Sequence, residues 1–337
     1  MSTDTSQTAA TQFIDVKGTS FAYREFGAPS AIPLVFLHHL TATLDDWDPA
    51  VLDGVAAKRH VIVFDNRGVG RSGGVTPDSV DAMARDAAAF LDAKGLKQVD
   101  LLGFSLGGFV AQRLAVTRPS LVRRLILAGT GPAGGEGISN VAAVLTDAMQ
   151  KGTAQGKHPK SLLFFSPTSS SQRAGQEFLT RLAARKQDLD TPASNETIQA
   201  QVKAITVWGL PSSAKEVDPG AIQQPPLVVN GNHDVMVPTS NSIALFEKAQ
   251  QCAALALSRL RPRRAVSAFS VVRRAGCALP RLDDAPHGTP QLRYTVCPHR
   301  GARDLRRAHR VLRRDGCSPG PQGARHVQRP VLFHVRV

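Results

Sequence analysis

Cysteine is absent from the first 248 of the 337 residues, because Cys252, Cys277, Cys297 and Cys317 all lie beyond Lys248. The body of the chain is therefore expected to use neither disulfides nor thiol chemistry. The cysteines are 25, 20 and 20 residues apart and lack the close pairs of a zinc site, so no metal is expected. Nowhere does the chain offer the roughly 18 uninterrupted apolar residues that a membrane span requires. The polar start, MSTDTSQTAATQ, has no basic segment leading into an apolar one. Neither a secretory signal nor a lipidation motif is expected there, which makes the cytoplasm the default compartment and residues 1–12 a disordered start. No internal repeat is evident.

Charge is distributed unevenly. Residues 1–248 hold 23 Lys and Arg against 23 Asp and Glu, whereas residues 249–337 hold 18 Arg, no Lys and 4 Asp, so the whole net charge of +14 sits in the tail. Such a block attracts phosphates nonspecifically, yet no aromatics are interleaved with the arginines. No specific nucleic-acid partner is expected, and no membrane partner. The tail also lacks Glu, Ile, Asn, Met and Trp.

Between these extremes the pattern is regular. Phe13 to Val16 and Ser20 to Phe26 flank Lys17-Gly18-Thr19 as a hairpin, followed by the apolar strands Leu34 to Leu37 and Val61 to Phe64. A helix is expected from about Asp78 to Lys94, then a strand from Val99 to Leu102, a helix up to Arg118-Pro119 and a strand from Leu125 to Ala128. Strands alternating with helices predict an α/β fold, with a mainly parallel sheet flanked by helices. From Gly129 to about Pro219 the composition turns helical and rich in Ala, Arg, Gln and Leu, with Phe164, Phe165, Phe178 and Trp208 among them. This reads as an inserted helical lid, since long insertions after a sheet strand usually cover the ligand crevice at the strand ends. The sheet resumes at Pro226 to Asn230. The expected organisation is thus a core over 13–130 and 220–248, a lid over 131–219, and an irregular, Arg-rich tail over 249–337.

The most specific signal is Leu101-Leu102-Gly103-Phe104-Ser105-Leu106-Gly107-Gly108, a serine between glycines where an apolar strand meets a helix. A serine nucleophile needs its hydroxyl lifted clear of the backbone on a strand-to-helix turn, and glycines on either side make room for that turn. The first amides of the following helix are unpaired and can face a developing oxyanion. A nucleophile also needs a base and an acid to orient it. The acid candidate is Asp234, in Asn230-Gly231-Asn232-His233-Asp234-Val235-Met236-Val237-Pro238. Its neighbour His233 is expected to be loop structure, since adjacent side chains diverge.

Together these residues resemble the α/β-hydrolase superfamily, in particular its lidded esterase, lactonase and cofactor-free perhydrolase-like members. The resemblance covers about residues 13–248 and includes Asp65-Asn66-Arg67-Gly68-Val69-Gly70-Arg71-Ser72, similar to the family's D-x-R-G-x-G-x-S turn beside the site. Leu37-His38-His39-Leu40 resembles the family's H-G-x stretch, with His39 in place of the glycine. The resemblance implies the amides of Leu40 and Leu106 as oxyanion donors. It places His38, His39, Trp47 and Phe104 as pocket candidates, with His38 and His39 equally readable as packed loop residues. Relatives that attack with an aspartate at the elbow are excluded by Ser105. The implied activity is hydrolysis of a small carboxylic ester or lactone through an acyl-enzyme, without a cofactor. A noncatalytic small-molecule-binding protein of the same fold is the alternative.

The family's histidine follows the acid by a few tens of residues, often within D-x-G-H-G, and this chain has no such stretch. Beyond Lys248 the composition is that of a GC-rich gene read out of frame. Shifting Arg259-Leu260-Arg261-Pro262-Arg263-Arg264 by one base gives triplets GNC, TNC, GNC, CNC and GNC, which permit Asp-Ser-Gly-His-Gly. A frameshift near Lys248 is therefore expected to have replaced the last helix, strand and histidine, impairing activity. It is also expected to leave the strand at Leu227 with an unpaired edge and to uncover apolar sheet surface. His287, 53 residues beyond Asp234, is a weak substitute base.

Overall fold

A computed structural model describes residues 4–215, 217–249, 253–257, 267–273 and 334–335. In chain order these form β1 (Gln12–Val16), β2 (Thr19–Phe26), β3 (Leu34–Leu37), α1 (Pro49–Ala56), β4 (Val61–Phe64), α2 (Val80–Ala93), β5 (Val99–Phe104), α3 (Leu106–Thr117) and β6 (Val122–Ala128). Next come α4 (Val141–Gln155), α5 (Pro159–Leu163), α6 (Ser169–Leu182), α7 (Asn195–Gly209), β7 (Pro226–Gly231), α8 (Thr239–Lys248), β8 (Ala253–Leu257), β9 (Ser267–Arg273) and β10 (His334–Val335). The strand order is β1-β2-β4-β3-β5-β6-β7-β8-β9-β10. Strands β4, β3, β5, β6, β7 and β8 run parallel, with β1 and β2 antiparallel at one end and β9 antiparallel to β8 at the other.

Why these short runs become central strands is visible in their burial. LVFL of β3 and VIVF of β4 are buried at every position, as strands covered on both faces must be. Alternate residues feed two cores. Val35, Leu37, Ile62 and Phe64 join Phe90, Phe109 and Trp208 on one face, while Leu34, Phe36, Val61 and Val63 join Trp47 and Leu52 on the other. The first core is covered by α2, α3, α7 and α8; the second is covered by α1.

That second covering stops short. Leu102, Ile126 and Leu227 are aligned across β5, β6 and β7, and Phe104, Ala128 and Val229 form the next row of the same face. All six are only half-buried, while Leu101, Leu125, Leu127 and Val228 on the opposite face are fully buried.

Three expectations are corrected. Residues 4–12 are ordered against the core: the guanidinium of Arg185, itself buried, donates to the carbonyls of Ser6 (3.2 Å) and Ala9 (2.9 Å), and Ser6 N–H donates to Asp53 Oδ1 at 2.7 Å. The outer edge of β7 is not unpaired, because β8 pairs with it in parallel from Leu227 opposite Ala253 to Gly231 opposite Leu257. The tail is also not irregular throughout, since β8, β9 and β10 extend the sheet.

The helices α4 to α7 lie between β6 and β7 and are tied to the segment that follows β3. Arg181 forks onto Asp48 with bonds of 2.8 and 2.7 Å, Lys160 pairs with Asp46, and Asp190 N–H donates to Asp45 Oδ2 at 2.7 Å. No described helix is long and apolar enough to cross a membrane.

Candidate active site

Strand β5 runs into α3 through one residue, Ser105, whose φ of 53° and ψ of −116° lie in a region that side chains rarely adopt. The turn is possible because its flanks are glycines. A Cβ on Gly103 would collide with the Gly107 carbonyl, and one on Gly107 with the carbonyls of Leu37 and His38. The backbone is held from the next strand: Ser105 N–H donates to Ala128 O at 2.9 Å, and Thr130 Oγ1 donates to Ser105 O at 2.9 Å. The Ser105 hydroxyl makes no capping bond to α3, so it is not consumed by the helix it starts.

Asp234 sits on the turn after β7. Its Oδ1 accepts from the N–H groups of Met236 and Val237, both at 2.9 Å, and Asn230 Nδ2 closes the same turn on Val237 O at 3.3 Å. Its Oδ2 faces Gly129. A Cβ there would stand 3.6 Å from Asp234 Oδ2 and 2.9 Å from the Phe104 ring, so the acid reaches the elbow alongside the residue that precedes Ser105. Burial raises the carboxyl above its ordinary range, against the two amide bonds that lower it. Among the described residues Asp234 accepts only from backbone amides. His233 is exposed.

The end of β3 abuts Gly107, which brings the loop from His38 to Thr41 beside the start of α3. Among the described residues the amides of Leu40 and Leu106 have no acceptor. The loop is fixed just beyond them: Thr41, at φ 65°, donates its N–H to Gln201 Oε1 on α7 at 2.7 Å.

The two histidines of this loop differ. Of its two readings, His38 takes that of a packed loop residue: Trp47 Nε1 donates to its Nδ1 at 2.7 Å, and its Nε2 lies 3.4 Å from Asp65 Oδ1. Trp47 stands edge-on to Phe36 with centroids 4.9 Å apart and backs Phe104 at 6.1 Å. His39 turns the other way, edge-on to Phe104 at 5.0 Å and to Phe164 of the inserted segment at 5.6 Å. Its Nδ1 lies 2.8 Å from Leu40 O. Burial pushes both imidazoles down to about 4, so both are neutral at physiological pH.

Ser105, Asp234, Leu40, Leu106, His39 and Phe104 thus converge, while His287 lies outside the described residues. Gln201 and Asp190 were missed by sequence reading. Both lie in the insertion, where helical composition carries no signal for which polar residue turns inward. Among the described residues no group of three or more His, Cys, Asp or Glu side chains could hold a metal.

Known proteins share this fold. An alpha/beta hydrolase fold protein from Chitinophaga pinensis is 40% identical, with a TM-score of 0.70 over 75% of this chain and 90% of that one. The enol-lactonase of Burkholderia xenovorans shares the fold at 19% identity, with a TM-score of 0.58 over 73% of this chain and 91% of that one. A non-heme chloroperoxidase of Streptomyces lividans is 34% identical over 117 residues, which are 34% of this chain and 42% of that relative. Residues 32–258 match the family described as the alpha/beta hydrolase fold, and the chain belongs to that family.

Proposed function

We propose that the chain is a serine hydrolase acting on a small carboxylic ester or lactone through an acyl-enzyme on Ser105. The observation that carries this reading is the Ser105 turn, a strained nucleophile position whose hydroxyl makes no capping bond, flanked by two amides without acceptors among the described residues and by a carboxylate. Ser105 Oγ attacks the substrate carbonyl and its proton passes to a base. The amides of Leu40 and Leu106 receive the oxyanion, and collapse of the tetrahedral adduct expels the alcohol, which takes up the proton. Water then attacks the acyl-enzyme by the same route and frees the acid. Helices α4 to α7 act as a lid, with Phe164 reaching His39 and Phe104.

Asp234 is the acid of this scheme, and the base belongs in the stretch after β8 that the reading frame has altered. A triad lacking its base loses several orders of magnitude in rate, with residual catalysis left to the oxyanion donors and binding. The half-buried rows on β5, β6 and β7 are consistent with a sheet whose last covering helix has been replaced.

A fluorophosphonate probe tests the reading. Slow labelling that disappears in Ser105→Ala supports it, with labelling and ester hydrolysis rising by several orders of magnitude once the frame is restored. No labelling of either folded protein, with ligand binding intact, points instead to a noncatalytic receptor. The coding DNA decides the frameshift: a shifted frame without a histidine codon at the Pro262/Arg263 junction removes it.

A further inference from the structure

His39 occupies a position in which hydrogen bonding fixes its chemistry. A carbonyl oxygen only accepts, so the 2.8 Å bond to Leu40 O requires the proton on Nδ1. The other ring nitrogen, Nε2, is then a lone-pair acceptor, and the ring is kept neutral by burial and by the nearby positive charge of Lys160. Among the described residues Nε2 has no protein donor, and unlike Nε2 of its neighbour His38 it is not a fully buried orphan. The ring stands between Phe104, which precedes Ser105, and Phe164, which is 37% exposed. It is therefore an acceptor set between two aromatic rings, one of them on the residue that precedes the nucleophile.

The same geometry argues against His39 as the missing base. Its Nδ1 is held by a carbonyl rather than a carboxylate, its basicity is depressed, and Asp234 lies beside Phe104 and Gly129 with no bond to it. A lone pair also repels a developing oxyanion, so its partner is a donor elsewhere on the substrate.

We propose that His39 Nε2 is a specificity-determining acceptor that selects acyl groups carrying an N–H or O–H donor over isosteric groups without one. The inference rests on the serine-hydrolase reading for the word acyl, while the recognition it describes needs no turnover. An unpaired acceptor held between two aromatic rings favours a ligand that satisfies it, because the analogue without the donor leaves that acceptor desolvated.

The test uses methyl N-acetylglycinate and methyl levulinate, which differ by one N–H in place of one CH2. Their dissociation constants are measured on full-length Ser105→Ala, which prevents hydrolysis, by tryptophan emission and by calorimetry. The donor ester is expected to bind roughly threefold to tenfold more tightly. The ratio is expected to fall to about one in Ser105→Ala/His39→Leu and to persist in Ser105→Ala/His39→Gln, which keeps an acceptor. Equal binding in the parent, no binding of either ester, or a preference that survives His39→Leu overturns the proposal. If His39→Leu does not fold, loss of the preference in His39→Gln likewise overturns it. Fluorophosphonate labelling of the Ser105 protein is read separately: a retained preference without labelling refutes the hydrolase and leaves the acceptor standing.

Discussion

Asp65 and Asp190 share a single backbone donor: Leu44 N–H lies 3.0 Å from Asp65 Oδ1 and 3.1 Å from Asp190 Oδ2. One carboxyl belongs to the turn after β4 and the other to the segment between α6 and α7, so this pair joins core to insertion. A Cβ on Gly70 would touch both, which places the two carboxyls side by side. Desolvation lifts both to about 7, and the pair retains a proton into the neutral range.

The first prediction follows from that proton. With folded pKa values above the unfolded value near 3.8, the native state binds more protons between about pH 4 and 7. The contribution of the pair to stability is therefore full below pH 4 and is lost as pH rises through 7. Asp190→Asn removes one charge while keeping an acceptor for Leu44 and adding a donor for Asp65. It is expected to be more stable than the parent by about 1–2 kcal/mol at pH 8, and the advantage should vanish by pH 4. Urea midpoints at several pH values check this; an advantage independent of pH refutes the shared proton.

The bond from Trp47 Nε1 to His38 Nδ1 gives the second. Both side chains are buried, and His38 Nε2 has only the 3.4 Å contact to Asp65 Oδ1, which makes no hydrogen bond. Trp47→Phe would leave Nδ1 unpaired as well, at a cost of about 1–3 kcal/mol beyond the lost packing against Phe36. Because burial holds His38 near 4 in the folded state against 6.5 unfolded, its contribution is present above pH 6.5 and lost as pH falls towards 4. Denaturation of His38→Asn beside the parent over that range should show a shallower acid slope in the variant.

The fold was legible because its signals are local and repeated. Fully apolar four-residue runs mark β3 and β4, and Gly103-Phe104-Ser105-Leu106-Gly107 marks a turn that only glycines at its flanks allow. The role of His38 was not legible, since Trp47 is nine residues away and nothing in the spacing says that its indole N–H meets the ring rather than a ligand. Asp190 and Gln201 were invisible for a similar reason. Their partners, Asp65, Leu44 and Thr41, are more than a hundred residues distant, and contacts of that separation are set by how the insertion seats on the core. The packing of residues 4–12 rests on distant partners such as Arg185, Asp53 and Asp188, and a polar composition cannot reveal them.

The half-covered sheet face supplies the third prediction. Leu125 and Ile126 are adjacent on β6 and point to opposite faces, the first fully buried and the second half-buried. Leu125→Ala is expected to cost about 2–4 kcal/mol, while Ile126→Ala costs about 1 kcal/mol, because no tightly packed shell closes around the second site. In the frame-restored protein a covering helix should bring the cost of Ile126→Ala close to that of Leu125→Ala. Equal costs in the present chain would show that the face is already closed.

Gln201 carries the last prediction because it links the insertion to the chemistry. Its side chain is fully buried, and its Oε1 fixes the N–H of Thr41, the residue after the proposed donor Leu40, in a left-handed conformation. Gln201→Leu leaves that half-buried N–H unpaired and should cost about 1–2 kcal/mol of stability. Simple destabilisation of a still-folded protein does not slow a reaction at Ser105, whereas a loosened Leu40 amide does, since oxyanion donors act only when held in place. The rate of fluorophosphonate labelling should fall about tenfold in Gln201→Leu, at a temperature where the protein is folded. Trp47→Phe, of similar stability, should label within about twofold of the parent. If both variants slow equally, Gln201 is a packing residue and the lid does not position the oxyanion loop.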